Sequence, residues 1–60
     1  MYEKYALYRN EKGVKDYDVA KATGIAPSVI SDWKNERSNP KVDKLAKIAE
    51  YLGVHIEDLI

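Results

Sequence analysis

The densest group of polar and charged side chains lies in residues 30–40, whose sequence is ISDWKNERSNP. Lysine and arginine bind anionic groups, while serine, asparagine and aspartate exchange hydrogen bonds with polar partners. The segment therefore has the side chains for recognition by charge and hydrogen bonds. The alternative is a solvated helix end without a partner, and the elements before this segment must decide between the two.

Catalytic chemistry has little support in the sequence. His55 is the only histidine, cysteine is absent, and no glycine-rich loop could hold a phosphate group. Asp16 and Asp18 are more simply first-turn charges that interact favourably with a helix dipole. One histidine cannot build a zinc site, which needs four ligands. We therefore predict that the protein is not an enzyme and that it uses no metal or cofactor.

Length and composition limit the class of protein. Sixty residues make a single domain, predicted over residues 1–60, and its stability must come from packing of the 45% hydrophobic residues. No signal peptide and no apolar run long enough to span a bilayer is visible, and the absence of cysteine fits a cytoplasmic protein. Residues 1–47 hold ten Lys and Arg against seven Asp and Glu, whereas residues 48–60 hold three acids and no Lys or Arg. The chain is thus a weakly basic body with an acidic tail.

The apolar spacing is helical almost throughout, so the predicted fold class is all-α, with five helices. The first predicted helix ends near Gly13, the second covers residues 16–23, and the third runs from Pro27 to about Asn35. The fourth follows the turn RSNP and ends at Gly53, and the fifth begins after His55. The connections are all short, as a compact bundle requires.

The same spacing predicts the core. In the fourth helix the predicted apolar stripe consists of Val42, Leu45, Ala46, Ile48, Ala49 and Leu52. Trp33 lies three residues after Ile30 and is therefore predicted to be buried rather than to stack on a base. Tyr5, Tyr8 and Tyr17 are predicted to pack against the core with their hydroxyl groups at the surface.

The second and third predicted helices are joined by only three residues, 24–26. Two short helices with so tight a link cross at a steep angle, which is the helix-turn-helix arrangement. Ala20 is small at the point where the helices approach most closely, and Gly24 can take the positive φ that turns the chain.

The segment YDVAKATGIAPSVISDWKNERSNPKVDKLAKIAEYLGV resembles the compact five-helix, lambda-repressor-like DNA-binding domain of the Cro/CI or XRE-type family. It is most similar to repressor-like proteins of low-GC Gram-positive bacteria and their phages, and SVISDWKNERSNPKVDKL is its most specific part. The resemblance implies a helix-turn-helix formed by helices 2 and 3. It also implies a sequence-specific transcriptional regulator, a phage or prophage repressor, that binds a double-stranded DNA operator as a homodimer.

In that family the third helix lies in the major groove with its N-terminal residues toward the base edges. The resemblance therefore implies base contacts from Pro27, Ser28, Val29, Ser31 and Asp32. Serine can donate or accept, Val29 could contact a thymine methyl group, and Asp32 could accept from cytosine N4. None of the five is arginine or glutamine, which favours weak base reading or reading through water and DNA shape.

Contacts with the DNA backbone are expected from the edges of the motif. The residues that the resemblance implies are Lys15, Asp16, Asn35, Arg37, Ser38 and Lys41. Lys44 and Lys47 follow Lys41 along the fourth helix and are expected on its solvated face. The apolar tail GVHIEDLI is expected to supply the dimer contact, and relatives commonly continue into a further C-terminal domain.

Three positions depart from the family pattern. Glu36 stands where many relatives have glycine, and Ala26 stands where they usually have a capping serine. Lys34 replaces a glutamate that in relatives pairs with an arginine of the first helix. We therefore predict that Arg9 pairs with Glu36 instead.

An alternative function keeps the fold without DNA, as an antitoxin-like or anti-repressor module that binds another protein. The zero net charge, Asp32 and Glu36 favour this alternative. Among residues 27–44, however, lysine and arginine outnumber the acids by one, and this position of the charge favours DNA.

Overall fold

The computed structural model describes all 60 residues and contains four α-helices and one 3-10 turn, without strands. The elements are α1 (Tyr2–Lys12), α2 (Asp16–Thr23), α3 (Pro27–Lys34), α4 (Val42–Leu52) and the 3-10 turn Ile56–Asp58. The prediction of an all-α fold is confirmed. The domain measures 24 × 22 × 19 Å along its principal axes. None of its helices has the length and apolar character needed to cross a membrane.

The predicted fifth helix is a single 3-10 turn and not an α-helix. The backbone N–H of His55 donates to the carboxylate of Asp58 at 3.0 Å, which closes the turn. Leu59 follows directly and is fully buried. One turn is enough to bring this side chain into the core, so the position of the element was predicted correctly and its helical type was not.

The link between α2 and α3 forms as its sequence predicts. Gly24 has φ 77°, and its N–H donates to the carbonyl of Ala20 at 2.9 Å, which ends α2. Pro27 occupies the first position of α3, where its missing N–H costs nothing. Thr23 is the one polar side chain at this junction, and its hydroxyl donates to the carbonyl of Val19 at 2.7 Å. The three-residue connection therefore leaves no polar side chain of the junction unsatisfied.

The core lies where all four helices meet. Its buried hydrophobic residues are Tyr5, Val19, Ala20, Ile25, Ile30, Trp33, Leu45, Ile48, Ala49 and Leu59. Trp33 is 3% exposed, which confirms its predicted burial. The ring of Tyr5 lies 5.0 Å from that of Trp33, and the ring of Tyr2 meets Trp33 edge-on at 5.9 Å. Such aromatic pairs stabilise beyond their buried area by about 0.5–1.5 kcal/mol.

Three predicted core positions lie at the surface instead. Tyr17 is 66% exposed, Val42 is 70% exposed, and Ala46 is also exposed. Apolar spacing gives the side of a helix on which a residue lies, but it does not give how far the neighbouring helices extend along that side. Val42 and Tyr17 both belong to the first turn of their helices, where the neighbours cover less of the surface.

The C-terminal turn provides a test of this packing, because Leu59 is fully buried and Ile60 is 59% exposed. We expect Leu59→Ala to lower the free energy of unfolding by about 2–5 kcal/mol, through lost burial and the cavity left behind. Ile60→Ala should change it by less than about 0.5 kcal/mol. Urea unfolding followed by circular dichroism measures both, and equal losses in the two variants would contradict the packing described.

Candidate nucleic-acid interface

The first two turns of α3 have an apolar inner side and a polar outer side. Ile30 and Trp33 face the core and are buried. Pro27, Ser28 and Ser31 are exposed, and Asp32 is partly exposed. Val29 is also only partly exposed, because it packs against the core. The structure thus brings the five side chains predicted to face bases onto one helix, but part of Val29 is used for packing.

The N-terminus of α3 has no side-chain cap, as Ala26 at this position implies. The first backbone N–H groups of an α-helix have no acceptor within the helix, and together with the helix dipole they favour an anion. Ser28 is exposed in the same turn. Pro27 has no N–H, and the N–H of Val29 donates to the carbonyl of Ala26 at 3.0 Å. The start of α3 therefore offers the backbone N–H and the hydroxyl group of Ser28 to a negatively charged partner.

Asp32 and Arg37 lie side by side, although the sequence assigned them to different kinds of DNA contact. Arg37 Nη1 is 3.6 Å from Asp32 Oδ1, and the backbone N–H of Arg37 donates to the carbonyl of Asp32 at 2.8 Å. Both side chains are substantially exposed, so water screens the pair and it stabilises by roughly 0–1 kcal/mol. The guanidinium offsets a carboxylate that would otherwise repel phosphate, and the weak pair can open when a partner binds.

The remaining residues predicted to contact the DNA backbone lie before and after the exposed part of α3. Asn35 donates through Nδ2 to the carbonyl of Ser31 at 2.9 Å and so closes the end of the helix. Ser38 and Lys41 are exposed in the loop and at the start of α4. Lys15 is exposed before α2, where its backbone N–H donates to the Asp18 carboxylate at 3.0 Å. Lysines thus lie before α2 and before α4, on either side of α3 in the chain.

Asp16 is the centre of a hydrogen-bonded group, here called the Asp16 cluster, formed with Tyr2, Tyr5 and Arg9 of α1. Its carboxylate accepts from Tyr2 Oη at 2.7 Å, from Tyr5 Oη at 2.8 Å and from Arg9 Nη1 at 2.5 Å. The predicted pair of Arg9 with Glu36 is therefore wrong, since the guanidinium pairs with Asp16. The Asp16 carboxylate is also occupied by these hydrogen bonds. The predicted contact of this residue with phosphate would therefore have to use its backbone N–H.

The cluster shifts the pKa values of its members. Burial by itself raises the pKa of Asp16, but the hydrogen bonds from Arg9, Tyr2 and Tyr5 and the guanidinium charge outweigh it. The pKa of Asp16 therefore lies below its ordinary value of 3.8. Burial and the hydrogen bond to Asp16 raise the pKa of Tyr5 far above its ordinary value. At neutral pH the carboxylate is thus ionised and the phenols are neutral donors.

Glu36 is the only residue other than glycine with a positive φ, which is 58°. An L-residue with a Cβ atom is strained in this left-handed conformation by roughly 1–2 kcal/mol. The observation explains why glycine suits this position after the third helix. Glu36 is exposed beside Arg37, so the strain comes together with a negative charge next to the Asp32–Arg37 pair.

Sequence reasoning missed the Asp16 cluster and the exposure of Tyr17. The spacing of Tyr2, Tyr5 and Arg9 places them on one side of α1, and this was the available signal. Nothing local indicated that Asp16, in another helix, would meet that side. Tyr5 was predicted to keep its hydroxyl group at the surface, yet the whole side chain is buried.

Comparison with known proteins agrees with this geometry. The helix-turn-helix family matches residues 6–59, which include all of α2, α3 and α4. The chain belongs to this family. The HTH-type transcriptional regulator DdrOP3 of Deinococcus deserti is 31% identical to it over 58 residues, which are 97% of this chain and 45% of that protein. This helix-turn-helix chain therefore spans less than half the length of that relative. No solved structure matches it significantly.

The Asp16 cluster predicts how stability depends on pH. A carboxyl group whose pKa is lowered by folding stabilises the native state above its unfolded pKa, and this contribution is lost as pH falls through the folded pKa. We expect the urea midpoint to fall below about pH 4, and Asp16→Asn to have a lower midpoint at pH 7 and a smaller fall in acid. Asp43→Asn, which changes an exposed first-turn aspartate of α4, is the control. Parallel pH profiles for wild type and Asp16→Asn would contradict the stabilising role of the ionised carboxylate.

The positive φ of Glu36 predicts a stabilising substitution. Glu36→Gly should raise the free energy of unfolding by about 0.5–1 kcal/mol, because relief of left-handed strain exceeds the entropy that glycine adds to the unfolded chain. Glu36→Gln keeps the strain and removes the charge, so it should change stability by less than about 0.5 kcal/mol. Thermal or urea unfolding distinguishes the two, and a larger gain in the glutamine variant would show that charge matters more than backbone strain.

Proposed function

We propose that this chain is the DNA-binding domain of a transcriptional regulator and that α3 reads the major groove of double-stranded DNA. The observation that carries the proposal is the exposed polar side of α3, held on α2 by a three-residue turn. An α-helix fits the major groove, and this arrangement directs its N-terminal residues to the base edges. Membership of the helix-turn-helix family supports the proposal, as does similarity to a protein named a transcriptional regulator.

The proposed base contacts come from Pro27, Ser28, Val29, Ser31 and Asp32. Ser28 and Ser31 are exposed hydroxyl groups one helical turn apart, which suits hydrogen bonds to neighbouring bases. Asp32 becomes available to cytosine N4 when Arg37 turns toward phosphate, because their pair is weak and exposed. The recognition would then rest on hydroxyl and carboxylate groups, with correspondingly modest discrimination between bases.

The proposed backbone contacts surround this helix. Lys15, Arg37 and Lys41 supply positive charge, Asn35 and Ser38 supply hydrogen bonds, and the helix start at Asp16 supplies backbone N–H groups. Ser28 at the uncapped N-terminus of α3 adds one further backbone N–H donor. Each phosphate contact made by a cation releases counterions, so affinity should depend steeply on salt.

We further propose that this chain belongs to a repressor of phage or prophage type, which binds a pseudo-palindromic operator as a homodimer. The resemblance to Cro/CI-type repressors motivates this assignment. Of the tail residues expected at a dimer contact, Leu59 is buried in the core, whereas Ile60 is 59% exposed. Ile60 lines a cleft of about 180 Å³ with Met1, which is 52% exposed, and with Pro40. This apolar surface, rather than the whole tail, is the proposed dimer contact.

A protein-binding module is the competing function. Glu36 favours it, since its exposed carboxylate lies in the loop proposed to contact phosphate. The Asp32–Arg37 pair weakens the case, because it offsets the acid on the outer side of α3. The two functions are distinguished by whether the chain binds DNA at all.

Selection from a random pool of duplex DNA, repeated over a salt series, tests the proposal. With about 6–10 phosphate contacts per dimer, affinity should fall roughly 10³–10⁵-fold between about 50 and 200 mM salt. A palindromic motif enriched with that dependence is the expected result. If neither the chain nor a covalently tethered dimer binds DNA at about 50 mM salt, DNA binding is excluded in favour of the protein-binding module.

Lys41, directly before α4, and Lys47, within α4, provide a matched test of the proposed contacts with the DNA backbone. Lys41 stands at the start of α4 beside the loop, whereas Lys47 lines a cleft with Ala22 and Tyr51 on another part of the surface. We expect Lys41→Gln to weaken binding to all sequences alike and to reduce the salt slope by about one unit. Lys47→Gln, with the same loss of charge, should leave the slope unchanged. Fluorescence anisotropy at several salt concentrations measures both, and equal slopes in the two variants would remove Lys41 from the interface.

A further inference from the structure

The exposed ring of Tyr17 forms one wall of a cleft on the helix-turn-helix itself. The cleft has a volume of about 350 Å³, and Pro27, the first residue of α3, also lines it. Ala20 and Ile25 contribute to its lining and are almost completely buried, at 3% and 4% exposure. A solvent-exposed tyrosine is thus placed beside the residue with which the proposed reading helix begins.

The cleft is continuous with the proposed DNA surface. Its lining comes from α2, from the turn of residues 24–26 and from Pro27 at the start of α3, and a helix-turn-helix applies these elements to DNA. A base edge lying against Pro27 would have the ring of Tyr17 within the same cleft. Lys21, one turn after Tyr17, also lines the cleft and is exposed, so a phosphate group of the same strand would meet a positive charge there.

The chemistry of the cleft selects among the groups that a base edge offers. In the major groove these groups are hydrogen-bond donors and acceptors, except for the C5-methyl group of thymine. A polar base atom against Tyr17 and Pro27 would lose hydrogen bonds to water without replacement, which is unfavourable. A methyl group in the same place gains by leaving water. The cleft therefore suits thymine better than any other base.

We propose that Tyr17 and Pro27 form a pocket for a thymine methyl group, which makes Tyr17 a specificity-determining residue of the DNA contact. This inference rests on the proposed function and adds a base-reading residue outside α3. It supplies discrimination that the short hydroxyl side chains of α3 lack. The tyrosine ring is the required part of the side chain, since contact with a methyl group needs apolar area and not the hydroxyl group.

Leu7 is the matched control for this proposal. Its side chain is 66% exposed, as is that of Tyr17. It lines a different groove, between α1 and the C-terminal turn, together with Glu11, Glu57 and Asp58. Lys4 also lines the groove, but its one ammonium group is outnumbered by three carboxyl groups, which oppose contact with DNA. An exposed apolar side chain there should therefore not affect recognition.

The test uses the selected operator with each thymine replaced in turn by deoxyuridine, which lacks only the methyl group. For the wild-type chain we expect one position in each half-site at which this replacement weakens binding about fourfold, the effect of one buried methyl group. Tyr17→Ala should bind the thymine and deoxyuridine operators equally at that position. Tyr17→Phe and Leu7→Ala should keep the fourfold ratio, and circular dichroism should show all variants folded.

The possible outcomes separate this inference from the proposed function. If Tyr17→Ala keeps the ratio, or lowers affinity for both operators equally, Tyr17 does not read the methyl group, although the chain still binds DNA. Loss of the ratio in Tyr17→Phe would likewise overturn the role of the ring. If the wild-type chain binds no duplex DNA, the proposed function fails and this inference fails with it.

Discussion

The ionised carboxylate of Asp16 accepts hydrogen bonds from three side chains of α1, and the placement of the helix-turn-helix depends on this contact. Asp16 is the first residue of α2, so the cluster ties the start of α2 to α1. Tyr2 and Tyr5 of the same cluster also pack against Trp33 near the end of α3. Through these two tyrosines, α1 holds both helices of the motif in their relative positions. A chain of 60 residues without a disulfide needs such contacts, because its buried core is small.

The cluster is stable because almost every polar group in it has a partner. A partly buried carboxylate would be unfavourable alone, but here two phenols and a guanidinium compensate for lost water. The one buried polar atom without a partner is Arg9 Nε. Arg9 Nη1 also donates to the hydroxyl of Tyr2 at 3.0 Å, which links the donors to one another. The polar contact is therefore directional and fixes the angle at which α1 meets α2, which apolar packing alone does less well.

Charge on the proposed DNA-binding side is arranged locally, since the net charge of the chain is zero. Asp16 is neutralised by Arg9 inside the fold, and Asp32 is partly offset by Arg37 at the surface. Lys15 and Lys41 remain exposed at the edges of the motif. A domain arranged in this way has a weak long-range attraction for DNA, so in the proposed function the specific affinity comes from close contacts on and beside α3. The proposed methyl pocket at Tyr17 and Pro27 would be one such contact, in a cleft that Lys21 also lines.

The sequence by itself determined the bounds of α2, the start of α3, the burial of Trp33 and the turn at Gly24. These features depend on neighbours in the chain: a proline at the first helical position, a glycine that takes a positive φ, and a period of three to four residues between apolar side chains. The tertiary structure decided the partner of Arg9, the exposure of Tyr17 and Val42, and the shortening of the last helix to one turn. Each of these depends on which atoms of a distant element come within contact distance, and periodicity along one helix contains no information about how far its neighbours extend. For the same reason the sequence indicated the outer side of α3 but not the cleft beside it, because that cleft forms only where α2 meets the turn and the start of α3.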